Sequence, residues 1–152
     1  MRHLWFSLGF MVMHTVAYLV AGALILKVSR RVYEGRARLM DYLRDMSDAE
    51  ERGHVERRLL PAQLLRGVLL SVVLYPVHAA IGAMSYGLRA AFLFGLLFVF
   101  THLACAAPCP DNIEGYVYLK PRYFDRGAFV RFQIEMLTYS LLFALPAAAV
   151  LF

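Results

Sequence analysis

The sequence predicts an all-α integral membrane protein: four transmembrane helices in an antiparallel bundle, with a cytoplasmic helical hairpin between helices 1 and 2. Three observations carry that expectation. Hydrophobic residues make up 61% of the 152-residue chain and the mean hydropathy is +0.57, well above the mixture of a soluble domain. Four windows, Leu4–Leu26, Gly67–Leu88, Ala90–Pro110 and Met136–Phe152, contain no Lys, Arg, Asp or Glu, and each approaches the ~20 residues that cross a bilayer. The charged residues gather between the windows, and their asymmetry sets an orientation. Ten bases lie between Lys27 and Arg66 and four between Lys120 and Arg131, against Arg2 and Arg89 alone elsewhere. The positive-inside rule then places both long loops in the cytoplasm and both termini outside. The length suits a single four-helix domain over 1–152.

The first span, 4–26, is too long for a cleaved signal peptide and ends in "LILKVSRR", so it reads as a retained helix. The loop 28–62 reads as helical. Val28, Val32, Leu39 and Leu43 keep an apolar face while Arg30, Arg31, Arg36, Arg38 and Arg44 fill the rest, with Gly35 as an interruption. Ser47 and Glu50 have capping-box spacing for a second helix, and Pro61 ends that run or opens the next span. The mixed charges of this loop suit a solvated face. The second span, 64–86, carries Pro76, which predicts a kink. "GAMSYGLR" is long enough only for a tight turn into the third span, 90–108, which is rich in Phe and stopped by Pro108 and Pro110.

In the loop 109–126, Asp111 and Glu114 repeat the capping spacing and predict a short helix closed by Pro121. Tyr116, Tyr118 and Tyr123 beside Lys120 and Arg122 have the composition of an interfacial anchor. The fourth span, 128–151, contains Pro146, which like Pro76 predicts a kink. An Arg-rich base content, fourteen Arg to two Lys, suggests a bacterial source and hence the plasma (inner) membrane. The excess of bases suits anionic lipid headgroups and gives no argument for nucleic acid. Cys105 and Cys109 at the cytoplasmic end of span 3 are expected to be reduced thiols.

Ionisable residues inside spans are functional candidates by default. Measured from Lys27 and Arg66, His14 and His78 fall at one depth and are the candidate cofactor-binding pair, either as axial ligands of a b-type haem or as interhelical hydrogen-bonding groups. His102 and Glu135 form a second layer as a candidate polar pair, although Glu135 at i+4 from Arg131 can be satisfied by that base instead. His102, Cys105 and Cys109 stand at i, i+3 and i+7 of one helical face and are candidate soft-metal ligands; Cys105 with His102 also suggests a nucleophile and base. No nucleotide loop, metalloprotease or hydrolase motif is present, so nothing marks an enzyme and no particular cofactor is implied. The leading expectation is a small non-enzymatic accessory or assembly subunit acting through helix packing, with lipid and a second copy or a larger membrane complex as partners. The second is a redox or metal-binding bundle built on the intramembrane histidines.

Overall fold

The computed structural model describes all 152 residues and contains helices and turns but no strand. α1 (Arg2–Leu26) runs 25 residues without interruption, which suits a stretch free of Pro and of internal charge. It stops at Leu26, before the basic residues that follow. α2 (Arg30–Tyr33) is only four residues long, and Gly35 then takes the left-handed backbone, at φ +88°, that favours glycine. The segment to Asp48 folds back on itself. Asp45 Oδ1 accepts hydrogen bonds from the N–H of Gly35 (2.9 Å) and Ser47 (2.8 Å), and Arg38 donates to the carbonyls of Gly35, Asp41 and Leu43. The apolar residues that suggested a helix face are used differently: Val32 and Met40 are fully buried against Ala128, with Leu39 and Leu43 beside them. A compact loop reproduces the apolar spacing of a helix because it too has one inner side.

α3 (Ala49–Val73) begins one residue later than the capping spacing suggests. Asp48 is the cap, accepting from the N–H of Glu50 and Glu51, while the Glu51 carboxylate reaches back to the N–H of Asp45. Ser47 instead donates its hydroxyl to Asp45. The helix passes through Pro61 unbroken and ends before Pro76, where a 3₁₀ turn (Tyr75–Val77) leads into α4 (His78–Gly82). The two parts are bent by 45°. α5 (Tyr86–Gly95) changes to π geometry over Leu96–Leu103 and stops there, short of the two prolines. α6 (Ile113–Tyr118) is capped by Asn112 rather than Asp111, and Pro121 opens a 3₁₀ turn. α7 (Arg126–Val150) is continuous through Pro146.

Three helical stretches, Arg2–Leu26, Tyr86–Leu103 and Arg126–Val150, are long and apolar enough to cross a membrane, and the bent α3–α4 pair makes a fourth if it counts as one span. α1 packs against α3 and α7, and α5 packs against α7. Ser7 meets Ser71 and His14 meets Gln63, so α1 and α3 run in opposite directions. A Cβ at Gly67 would lie 2.8 Å from the Cα of Met11, so glycine is what lets the two backbones approach. Phe6, Phe10, Leu93, Leu97, Tyr139 and Phe143 centre the core. Large apolar side chains also cover the outside: Phe100 is 73% exposed, Val73 and Val150 72%, and Trp5 69%. An apolar exterior of that kind is far beyond what water-facing surfaces carry.

Two ends result. Arg2, His78, Arg89 and Phe152 gather at the terminal end. The 27–48 and 104–125 segments gather at the loop end.

Candidate functional site

The polar side chains of α1 form two layers. Near the terminal end, Ser7 Oγ is hydrogen-bonded to Ser71 Oγ (2.7 Å) and Tyr75 Oη (2.5 Å). Toward the middle, the fully buried His14 is engaged on both ring nitrogens: Tyr139 Oη lies 2.5 Å from Nδ1 and Gln63 Oε1 lies 3.3 Å from Nε2. With Tyr139 donating to Nδ1, Nε2 carries the hydrogen and donates to Gln63. Neither nitrogen of His14 is then left free to ligate a metal.

His78 is elsewhere. Its Nδ1 accepts from Arg2 at 3.0 Å, and its ring packs edge-on against Phe6 and beside Phe152. His14 lies level with Gln63, fifteen residues before His78 on α3–α4, which at the helical rise is about 20 Å. The structure does not bring the two histidines together. The depth estimate took Lys27 and Arg66 as one level, whereas the close approach of Gly67 to Met11 puts Arg66 near the midpoint of α1. Helix register, invisible in either segment alone, moved the ruler.

His102 and Glu135 are also separate. His102 Nε2 is 3.5 Å from Asp111 Oδ2, both side chains being more than nine-tenths buried, and it makes no aligned hydrogen bond. Glu135 accepts from the Tyr33 hydroxyl at 3.0 Å, and no ion pair forms with Arg131. Burial and the neighbouring carboxylate push the Tyr33 phenol well above its ordinary range, so it stays protonated as the donor. Burial likewise raises the Asp111 carboxyl, opposed by His102.

The helical face that would align His102, Cys105 and Cys109 ends at Leu103, so both cysteines lie in the following turns. No group of three His, Cys, Asp or Glu side chains is arranged to hold a metal. Partial burial, Asp111 and Cys105 push the Cys109 thiol up. Here the backbone is organised by Asn112, whose Oδ1 accepts from the N–H of Cys109 and Gly115 and whose Nδ2 donates to Ala107 O. A Cβ at Gly115 would collide with the Cys109 carbonyl oxygen, so "NIEG" is a packing requirement.

Gln63, Tyr139 and Tyr33 were not singled out from the sequence. Their signal was weak: a polar group within a helical turn or two of an apolar window is ordinary until a partner is known. Arg89 was counted only as an outward base, yet it donates to the carbonyls of Ile81, Gly82, Met84, Ala148 and Phe152, and thus ties the ends of α4 and α7 to α5. Comparison with protein-family models, with curated proteins and with solved structures finds no match to this chain.

Proposed function

We propose that the chain is a small multi-pass protein of a bacterial inner membrane, with four spans forming an antiparallel bundle and both termini outside, and that it acts as a non-enzymatic accessory or assembly subunit through helix packing. The observation that carries this reading is the engagement of His14 on both nitrogens by Tyr139 and Gln63. Interhelical hydrogen bonding is the common work of a polar residue between membrane helices. The weakly covered third span, with Phe100 and Val99 outward, supports a partner surface toward lipid, a second copy or a larger complex. The clustering of bases at the loop end supports the orientation.

Two measurements test it. Protein purified from a haem-replete host is expected to be colourless, and a reporter fused to Phe152 is expected to be active only outside the cytoplasm. A Soret band lost in both His14→Gln and His78→Gln would promote the redox reading. A reporter active only in the cytoplasm would reverse the orientation.

A further inference from the structure

At the loop end a cleft of about 350 Å³ opens between α1, the 34–48 loop and α3. Its walls are apolar, with Leu26, Leu43 and Leu59 among them, and its floor holds Tyr18, Tyr33 and Glu135. Gly22 leaves it wide: a Cβ there would meet nothing within 4 Å.

The floor carries a carboxylate without an ion-pair partner. The Glu135 carboxylate accepts one hydrogen bond, from Tyr33, and has no Arg, Lys or His within ion-pair distance. A carboxylate has roughly four acceptor positions, so most of its capacity faces the cleft. An anion in apolar surroundings is stabilised by a cation that reaches it. Aromatic rings beside it suit an organic cation better than a hydrated metal ion, because such a cation sheds water cheaply and is attracted to ring faces. Two bases lie nearby: Arg44 is exposed on a surface it shares with Asp48, Glu50, Glu51 and Arg57, and Arg66 acts on Tyr18 of the floor, but neither lies within ion-pair distance of Glu135.

We propose that this cleft binds a lipophilic organic cation, a protonated amine or quaternary centre on an apolar body, with the positive centre against Glu135. The apolar walls take the body and the carboxylate selects the sign of the charge.

The test uses the full chain in a neutral detergent, with tetraphenylphosphonium as the probe and tetraphenylborate as its anion of nearly the same shape, followed by equilibrium dialysis. Saturable binding of about one tetraphenylphosphonium per chain is expected, weakened at least tenfold in Glu135→Gln and restored in part by Glu135→Asp. Gly22→Leu, which fills the cleft and leaves the carboxylate in place, is expected to weaken binding as strongly. Each variant is compared only if it elutes as a monodisperse species like the wild type. Absence of saturable binding, full affinity in Glu135→Gln, or saturable tetraphenylborate binding that depends on Arg44 would each overturn the proposal.

Discussion

The seam between α1 and α3 and the span formed by α5 with its π continuation are both apolar, yet they are held by different means. Along the seam, Gly67 lets the backbones touch, and Ser7, Ser71, His14 and Gln63 bridge them at two levels. The α5 span presents Leu93 and Leu97 to the core and leaves Phe100 and Val99 outside; its polar fastening to the rest lies mainly at one end, through Arg89 and Tyr86. The difference teaches that apolar content does not decide which helices associate once lipid is the solvent. A Phe gains little by leaving lipid for protein, whereas a close backbone approach adds packing that lipid does not supply and an interhelical hydrogen bond adds about 0.6 kcal/mol on average.

The largest test removes the main fastening. Arg89→Ala leaves up to five carbonyl acceptors without their donor and is expected to cost about 3 kcal/mol, the upper range for hydrogen bonds to a charged group. Thermal unfolding in detergent reads this, with Arg89→Lys recovering part of the loss. Unchanged stability in Arg89→Ala would show that apolar contacts alone hold α5.

The two glycines compare the regions directly. Gly67→Ala must push α1 and α3 apart and is expected to cost about 2 kcal/mol, as overpacking does. Gly95→Ala, where a Cβ meets nothing within 4 Å, is expected to leave unfolding unchanged or slightly higher. Equal effects from the two would erase the distinction between seam and span.

A smaller effect is expected from His14→Gln, which keeps a hydrogen-bonding group between Tyr139 and Gln63 and should cost about 0.6 kcal/mol, the average for such bonds in membranes. His14→Leu should cost more, because it strands two buried partners. If both variants unfold alike, the bridge contributes nothing beyond volume.

The least effect is confined to the loop end and depends on pH. Hydrogen bonds from the Ser47 hydroxyl and from the N–H of Gly35 and Ser47 hold the Asp45 carboxyl down to about 2. Its folded value lies below the ~3.9 of an unfolded chain, so its contribution is complete above about pH 4 and is lost as pH falls toward 2. Protection of the Gly35 and Ser47 amides against hydrogen exchange, taken relative to the intrinsic rate at each pH, is expected to fall over that window while α1–α3 seam amides remain protected. Asp45→Asn should show the low protection at every pH.

Much of this fold was legible from composition, but the loops were not. The second arm of the expected hairpin is helical from Ala49, but its first arm read as helix because Val32 and Leu39 share a helix spacing with arginines between them, and that pattern is equally produced by a loop folded over Ala128. The caps were displaced by one residue, Asp48 for Ser47 and Asn112 for Asp111, because neighbouring residues in both places are able acceptors and only chain direction selects one. Asp111, freed from capping, faces His102 instead. The third span ends at Leu103 in π geometry, before the expected stop at Pro108, because hydropathy reports where a segment is apolar and not where its helix gives way to turns.

By itself the sequence determined that the chain is helical and that it carries three or four stretches suited to a membrane, because hydropathy and length act within one segment and need no neighbour. Pro76 also announced a bend, although α3 and α7 pass Pro61 and Pro146 unbroken, so a missing N–H permits a break that the surroundings decide. Only the tertiary structure decided that His14 meets Tyr139 and Gln63, that His78 meets Arg2, and that Glu135 meets Tyr33. Those pairings depend on how far one helix slides along another, and that offset is set by contacts such as Gly67 on Met11. A shift of one turn moves a side chain by about 5.4 Å, enough to exchange every partner while leaving each helix unchanged.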